Sequence, residues 1–369
     1  MATAEQSIHE ALAAFPFGAE LVGAVRFGRG HINDTFVVHT QPPEDDCCRF
    51  ILQRVSAAAF HHPDQLMANM VGVTTYLKKI IIERGGDPDR ETLTFMPTKD
   101  GERFFTDSEG RAWRCTPFIE HTVCIQSAEN PELYAASARA FGRFQKLLAD
   151  YPADTLYETI EKFHDTENRL KLFKKALELD VMGRAKEVKA EADFVLARAD
   201  DCSVALNALR EGKLPLRVTH NDTKINNVLI DRQSGEGVCI IDLDTVMPGL
   251  SINDFGDSIR FGANHCAEDE RDLTKVNFDL PLFETYAKGF LGEAGSILTP
   301  EEKAYMPWGA KLMTLECGIR FLTDYLDGDH YFATHRPGQN LDRCRTQFKL
   351  VADMEKAWDD MAGIIIQYS

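Results

Sequence analysis

The segment 220–231, with the sequence HNDTKINNVLID, holds the residues best suited to chemistry. His220 and Asp222 are followed by Asn227, five residues after the aspartate. A carboxylate can accept the proton of an attacking hydroxyl group, and a neutral amide oxygen is a hard ligand suited to Mg²⁺. This order and spacing are those of a phosphotransfer catalytic loop. We therefore expect Asp222 to act as the catalytic base and Asn227 to bind a metal ion.

A second candidate metal ligand, Asp242, follows fifteen residues after Asn227. It ends the apolar run CII, which predicts a buried strand. A carboxylate at the end of such a strand is suited to bridge a metal ion and nucleotide phosphates. Either motif alone is weak, but the pair in this order predicts a kinase-type site. The alternative, a non-catalytic copy of such a site, is disfavoured because Asp222, Asn227 and Asp242 are all present.

A glycine-rich stretch, GRGHIN, occupies residues 28–33. A dinucleotide fingerprint would require a helix directly afterwards, but the β-branched and aromatic run at 35–38 predicts a strand. A strand, a glycine turn and a second strand form a phosphate-covering loop, in which glycine lets backbone N–H groups approach the phosphates. The alternative is a plain hairpin turn. We expect Gly28, Gly30 and Asn33 to contact the nucleotide.

A cation on the third strand is also expected in such a site, to neutralise the nucleotide phosphates. In the run FILQRV the candidate is Arg54. Arginine can supply this charge with a planar fork of donors, although the commoner residue is lysine. The next predicted helix, 64–82, offers no obvious glutamate to orient the cation. The alternative for Arg54 is an exposed strand residue without a role.

The elements that must position these residues begin with a small antiparallel sheet and one helix. Runs rich in β-branched and aromatic residues predict strands over 21–27, 34–40, 48–55 and 92–98 and a hairpin over 100–120. Apolar residues at helical spacing predict the helix over 64–82. After residue 120 helical patterns predominate, apart from two short strands at 227–231 and 239–244. The sequence therefore predicts an α+β fold.

Composition excludes several classes of protein. The 369 residues include 41 Lys+Arg and 58 Asp+Glu, a net charge of −17, which opposes binding to nucleic acid or an anionic membrane surface. No run approaches the ~18 apolar residues of a membrane span, and the first residues lack the basic start of a signal peptide. We expect a cytoplasmic protein. Its nine cysteines, including the adjacent Cys47 and Cys48, are expected to be reduced, with a redox switch as the alternative.

Taken together, these motifs make the chain similar to the aminoglycoside phosphotransferase and choline kinase superfamily. The match rests on HNDTKINNVLID, IIDLD and the aspartate of SINDFGDSIRF, Asp254. Within the superfamily the chain most resembles the bacterial N-acetylhexosamine 1-kinases. The strings that carry this narrower resemblance are GRGHINDTF, ILQRV, THNDTKINNV, IDLDTVMPG and GIRFLTDYLDGDHYF.

The resemblance implies a protein-kinase-like, two-lobed fold. A β-rich nucleotide-binding lobe would occupy residues 1–116, a hinge 117–122, and a larger helical lobe with the catalytic loop and the acceptor pocket 123–369. Phe118 and Ile119 lie in the stretch that matches the hinge, whose backbone groups bind adenine.

The resemblance also implies roles for residues of the helical lobe. His220 and Asp254 would brace the catalytic loop, and Lys224 would place a cation near the transferring phosphate. Arg320, Asp324 and Tyr331 match positions that line the sugar pocket, and their side chains suit hydroxyl and acetamido groups. The alternative for Arg320 and Asp324, four residues apart on a helix, is an ordinary ion pair.

The expected function is transfer of the γ-phosphate of ATP, with Mg²⁺, to the anomeric hydroxyl of a neutral N-acetylhexosamine, GlcNAc or GalNAc. Only 11 residues separate Asp242 from Asp254, which argues against the long activation segment of a protein kinase. The alternatives are a superfamily kinase for choline, homoserine or an aminoglycoside, and a nucleotide-binding scaffold without turnover. A cationic acceptor would call for aromatic boxes or acid clusters, and the DYLDGD stretch keeps that alternative open.

Overall fold

The computed structural model describes residues 4–28, 33–41 and 49–369. The chain divides into two compact units. The first comprises Met1–Thr122, Asp154–Glu161 and Val238–Met247, and the second comprises Val123–Ala153, Lys162–Gly237 and Pro248–Ser369. The fold combines an N-terminal β-sheet region with a larger helical C-terminal portion, so the predicted α+β class is confirmed.

Among the described residues of the N-terminal part, five strands form one antiparallel sheet, and three helices and a short sixth strand accompany it. In chain order the elements are α1 (Ala4–Ala14), β1 (Leu21–Arg26), β2 (Asp34–Thr40), β3 (Arg49–Arg54), α2 (Pro63–Glu83), α3 (Pro88–Glu91), β4 (Phe105–Thr106), β5 (Ala112–Pro117) and β6 (Thr122–Val123). The strand order in the sheet is β1-β2-β3-β5-β4. Phe36, Leu52 and Cys115 lie side by side across its three central strands.

Helix α1 was not predicted from the sequence, yet it covers part of this sheet. Ala11 on the helix and Phe15 and Phe17 just after it are at most 8 % exposed and lie in one cluster with Leu52 and Trp113. Burial of large apolar side chains against a sheet outweighs the modest helix propensity of so short a segment.

The prediction of a strand over 92–98 was wrong. Those residues form no regular element, although the backbone N–H of Met96 donates to the carbonyl of Cys115 over 2.9 Å. Pro97 has no N–H to donate, which removes one hydrogen bond that a paired strand would make here. The N–H of Thr98 is used in a turn with the carbonyl of Glu102, at 2.9 Å.

The remaining elements are mostly helices. In chain order they are α4 (Pro131–Leu147), α5 (Thr166–Leu179), α6 (Lys189–Leu196), α7 (Val204–Arg210), β7 (Arg217–Thr219), β8 (Val228–Asp231), β9 (Gly237–Ile240), β10 (Met247–Gly249), α8 (Ser251–Gly262), α9 (Leu280–Ala294), α10 (Pro300–Ala304), α11 (Met306–Asp327), α12 (Gln339–Lys356) and α13 (Trp358–Tyr368).

The core of the second unit is built around α11. Its residues Leu315, Ile319 and Leu322 are fully buried and share one cluster with Phe173 of α5 and Val351 of α12. Helix α5 begins directly after Asp165, whose side chain caps it by accepting the N–H of Asn168. Helices α5 and α6 therefore place apolar residues such as Phe173 and Val195 in the core of the second unit.

None of the helices in the described part of the chain combines the length and apolar composition that a bilayer crossing requires. Cys47 and Cys48, singled out in the sequence as neighbours, lie outside the described residues.

Candidate active site

The predicted catalytic loop follows β7 and is held by Asp254 of helix α8. The two carboxylate oxygens of Asp254 accept consecutive backbone N–H groups, those of His220 at 2.9 Å and Asn221 at 2.7 Å. The His220 ring is fully buried and makes T-shaped contacts with the rings of Phe141 and Phe144, with centroid distances of 5.6 and 6.1 Å. Asn221 adopts a left-handed conformation, with φ +64°. Such backbone strain persists only where the surroundings fix it.

Asp222 lies next to a cation inside this loop. The ammonium group of Lys224 is 2.8 Å from Asp222 Oδ1. Burial would raise the pKa of the Asp222 carboxyl, but the charge of Lys224 holds it below its ordinary value, and the same contact raises the pKa of Lys224. The carboxylate is therefore ionised at neutral pH, as a proton acceptor must be.

Asn227 ends the 3-10 helix Ile225–Asn227 and points its amide nitrogen at Asp222. Its Nδ2 atom donates to the backbone carbonyl of Asp222 over 2.9 Å. The amide thereby uses its donor within the loop and keeps its oxygen as a hard ligand, which fits a role in binding Mg²⁺.

Asp257, one turn after Asp254 on α8, is a candidate that the sequence interpretation missed. Its Oδ1 accepts the Nε–H of Arg260 at 2.9 Å. Within the described residues, its buried Oδ2 has no hydrogen-bond partner. Its negative charge also helps to raise the pKa of Lys224. A buried carboxylate oxygen left without a donor is costly, so a bound donor such as a hydroxyl group would complete it.

The first unit contains the predicted metal ligand Asp242 and a buried ion pair beside it in sequence. Asp242 adopts a left-handed conformation with φ +60°. Two residues later, Asp244 accepts both terminal nitrogens of Arg114, at 2.6 and 2.7 Å. Both side chains are at most 5 % exposed. Burial would raise the pKa of Asp244, but Arg114 holds it below its ordinary value.

Arg114 was missed in the sequence, although an arginine between the apolar residues Trp113 and Cys115 of β5 was a usable signal. Its Nε donates to the side-chain oxygen of Gln53 at 3.0 Å. Asp244 in turn accepts the side-chain N–H of Asn33 at 3.1 Å, and Asn33 Oδ1 accepts the N–H of Ser56 at 3.0 Å. The predicted nucleotide contact Asn33 is thus joined to the Arg114–Asp244 pair.

The other predicted nucleotide contacts also lie in the first unit. Gly28 has φ +78°, a conformation that favours glycine, while Gly30 lies outside the described residues. Arg54 forms an ion pair with Asp34 of β2, so its carboxylate partner comes from a strand rather than from the following helix.

In the predicted hinge, the two residues named for adenine binding already use part of their backbone. The N–H of Phe118 donates to the carbonyl of Arg49 at 2.9 Å. The carbonyl of Ile119 accepts the hydroxyl of Thr122 at 2.8 Å.

Two of the three predicted acceptor residues contact each other. Arg320 Nη2 is 3.2 Å from the hydroxyl of Tyr331, and the guanidinium lies 5.5 Å from the tyrosine ring centroid. The Tyr331 side chain is exposed. This pair presents donors and an aromatic face, which suits a polar ligand with an apolar side.

Asp324, the third, is buried and fully engaged within the protein. It accepts the backbone N–H groups of His330, Tyr331 and Phe332 at 2.8–2.9 Å, and the Asn340 side chain at 2.9 Å. It forms no ion pair with Arg320 among the described contacts, because its oxygens point to the 330–332 segment. The geometry assigns it to holding the segment that carries Tyr331.

The chain matches the family model described as phosphotransferase enzyme family, APH, over residues 23–281. Since the match spans well over half of the 369 residues, the chain belongs to this family. It is a small-molecule phosphotransferase, and the superfamily inferred from the motifs is confirmed.

Solved structures of similar fold agree with this family. One is the amicoumacin kinase hAmiN in complex with AMP-PNP, Ca²⁺ and Ami, with 16 % identity, a TM-score of 0.58, and coverage of 96 % of this chain and 94 % of that one. An aminoglycoside phosphotransferase from Alicyclobacillus acidocaldarius has 14 % identity and a TM-score of 0.57, and the match covers 98 % of this chain and 96 % of that one. Choline kinase from Cryptosporidium parvum has 14 % identity and a TM-score of 0.56, and the match covers 93 % of this chain and 91 % of that one. At these identities the likeness shows the fold, which is protein-kinase-like as predicted.

Proposed function

We propose that this phosphotransferase is a sugar 1-kinase that transfers the γ-phosphoryl group of ATP to the anomeric hydroxyl of an N-acetylhexosamine, GlcNAc or GalNAc. The observation that carries the proposal is the catalytic loop, in which Asp222 is ionised, paired with Lys224 and held in place through Asp254. The sugar as acceptor rests on the sequence resemblance and on the polar residues near Arg320.

In the proposed reaction, Asp222 accepts the proton of the anomeric hydroxyl while the anomeric oxygen of the sugar forms a bond to the γ-phosphorus. The bond from that phosphorus to the bridging oxygen breaks, and ADP leaves with the electron pair. Lys224 offsets negative charge on the transferring phosphoryl group. Positioning and electrostatic stabilisation supply most of the rate in such transfers.

Mg²⁺ is the proposed metal ion, and it would neutralise charge on the nucleotide phosphates. Asn227 would contribute its amide oxygen and Asp242 its carboxylate. No group of three or more His, Cys, Asp or Glu side chains suited to a metal occurs among the residues that the structure describes. The amide oxygen of Asn227 and the carboxylate of Asp242 nevertheless suit Mg²⁺, which is usually bound through one or two carboxylates together with substrate phosphates and water.

The nucleotide would be bound by residues of the N-terminal sheet region. Gly28, Gly30 and Asn33 would contact the phosphates, with Arg54 as the cation. Phe118 and Ile119 would bind adenine through their backbone. The corresponding division of the chain is a nucleotide-binding part at 1–116, a hinge at 117–122 and an acceptor-binding part at 123–369.

The acceptor would be recognised by Arg320, Tyr331 and Asp257, while Asp324 would act by holding the segment of Tyr331. The unpartnered oxygen of Asp257 supports a ligand that donates a hydrogen bond, such as a sugar hydroxyl. Arg320 can donate to an acetamido oxygen, and Tyr331 offers an aromatic face to the sugar ring.

A cationic acceptor such as choline is the main alternative, and the acidic DYLDGD stretch is the feature that would favour it. However, the Asp324 carboxylate already accepts four hydrogen bonds, and Asp329 pairs with Arg184 at 2.7 Å. These two carboxylates are therefore engaged within the protein, which favours the neutral sugar.

The test is Mg²⁺-dependent ADP formation measured with a panel of GlcNAc, GalNAc, choline, homoserine and an aminoglycoside, with ³¹P NMR of each product. We expect activity with an N-acetylhexosamine and a phosphate on O1. Activity confined to choline, homoserine or the aminoglycoside would overturn the sugar as acceptor. Phosphate on O6 would overturn the regiochemistry, and nucleotide binding without turnover on any acceptor would indicate a scaffold.

A further inference from the structure

A histidine outside every predicted motif contacts the catalytic loop. His164 lies just before helix α5, and its side chain is 11 % exposed. Its Nε2 atom is 2.9 Å from the backbone carbonyl oxygen of Asn221, the residue that precedes Asp222. Its Nδ1 atom is 3.1 Å from Oε1 of Glu316 on helix α11. The ring therefore links the loop to the central helix of the second unit.

The partners of the ring determine its protonation state. A backbone carbonyl can only accept a hydrogen bond, and so can an ionised carboxylate. Glu316 is 1 % exposed, and its second oxygen accepts the hydroxyl of Thr166 at 2.7 Å, as a carboxylate would. Both ring nitrogens of His164 must then donate, which requires the imidazolium form.

The electrostatic surroundings agree with this form. Burial would lower the pKa of His164, but the hydrogen bond and the charge of Glu316 raise it above its ordinary value. Burial would likewise raise the pKa of Glu316, but His164 holds it below its ordinary value. Each charge of the pair therefore stabilises the other.

Other charged groups face this pair from the neighbouring helices. Asp257 of α8 adds to the rise in the pKa of His164. Arg169 of α5 and Arg320 of α11 add to the fall in the pKa of Glu316. The two arginines thus favour the carboxylate, and the two carboxylates favour the imidazolium.

The carbonyl that His164 contacts belongs to the peptide that leads into Asp222. At the other end of that peptide, the N–H of Asp222 donates to Nδ1 of His220 at 3.3 Å. The peptide is thus held on both sides, at a point where Asn221 has the strained φ of +64°. Holding this plane fixes the direction in which the Asp222 side chain leaves the backbone.

We propose that His164, held as an imidazolium by Glu316, is a positioning residue for Asp222, and that loss of its proton makes kcat fall at alkaline pH. When His164 loses a proton, one bare ring nitrogen faces an oxygen that can only accept, so the contact with Asn221 or with Glu316 weakens. This inference rests on the proposed function only in taking Asp222 as the catalytic base.

The protonation state is tested on the full-length protein by ¹⁵N NMR of labelled histidine rings. We expect both nitrogens of His164 to be protonated at pH 7, and Glu316→Gln to lower the pKa of the ring. The matched comparison is His265, a half-exposed histidine that contacts Asp279 at 2.8 Å in the same unit and does not contact the loop. A neutral His164 ring at pH 7 would overturn the proposal, whatever the acceptor is.

The positioning role is tested by the kinetics of His164→Gln. Loss of a charged donor should lower kcat about tenfold while KM for ATP changes less than twofold, and should remove the fall of kcat at alkaline pH. Glu316→Gln keeps the histidine and should move the alkaline fall of kcat to lower pH. The control His265→Gln should leave the pH profile of kcat as in the wild type. An unchanged kcat and pH profile in His164→Gln would contradict the role. If the wild-type protein phosphorylates no acceptor, the proposed function fails and the role with it, while the NMR result stands by itself.

Discussion

Gly256 and Gly309 bring helices α8 and α11 into backbone contact. A Cβ atom added at Gly256 would lie 2.1 Å from the carbonyl oxygen of Gly309, well inside van der Waals distance. Helix α8 carries Asp254 and Asp257, and α11 carries Glu316. The close approach of these two helices therefore sets the positions of residues that hold and surround the catalytic loop.

Gly256→Ala should destabilise the protein, because a methyl group at this position must push the two helices apart. Overpacking of this kind costs about 1–3 kcal/mol. The matched control is Gly363→Ala in α13, where an added Cβ meets no atom within 4 Å. That change should be neutral or stabilising by up to about 1 kcal/mol, since alanine is the better helix former. Urea unfolding measures both, and equal stability of the two variants would contradict the packing account.

Arg114→Met should reduce the free energy of unfolding by about 3–5 kcal/mol, because it leaves the buried Asp244 carboxylate without its cation. The comparison is Arg139→Ala, which breaks the exposed pair with Glu236, whose side chains are 34 % and 50 % exposed. Exposed pairs contribute less than about 1 kcal/mol. Denaturant unfolding of both variants is the measurement. A loss for Arg114→Met no larger than that for Arg139→Ala would show that the buried pair is not needed for stability.

The His164–Glu316 pair should make stability depend on pH. Because the pKa of His164 is raised in the folded protein, its contribution is fully present below the unfolded pKa of about 6.5 and is lost as pH rises through the folded value. The difference in unfolding free energy between wild type and His164→Gln should therefore be larger at pH 6 than at pH 9. Thermal and denaturant unfolding at both pH values measure it, and a constant difference would argue against a charged ring.

Asn227→Ala should weaken the metal dependence of the reaction, because it removes a proposed oxygen ligand of Mg²⁺. The Mg²⁺ concentration at half-maximal ADP formation should rise about tenfold or more, as expected when one contact between a polar ligand and a charged ion is lost. The Mg²⁺ titration is run at saturating acceptor. An unchanged half-saturation point would remove Asn227 from the metal site.

The sequence predicted the fold class and family because those depend on local signals. The catalytic loop from His220 to Asn227 is continuous in the chain, and its spacing carries the chemistry. The predicted strands and helices near it also follow from local periodicity. The strand predicted over 92–98 was wrong because the prediction rested on the apolar pattern alone and did not take account of Pro97, which has no N–H to donate.

Residues that act through distant contacts could not be found in this way. Arg114 meets Asp244 across 130 positions, and His164 meets Glu316 across 152. Neither pair has a sequence spacing that marks it. The only local signals were a charged residue within an apolar run, for Arg114, and a glutamate within the apolar residues of α11, for Glu316. Asp257 could have been suspected from its place one turn after Asp254.

Asp222→Asn tests the central claim most directly, since the amide keeps the size of the side chain but cannot accept the proton of the acceptor hydroxyl. The measurement is the single-turnover rate of phosphoryl transfer with saturating ATP, together with ATP binding by calorimetry. We predict that the rate falls by about three powers of ten or more, equivalent to about 4 kcal/mol of transition-state stabilisation, while ATP affinity changes little. A near-wild-type rate in Asp222→Asn would contradict the assignment of Asp222 as the catalytic base.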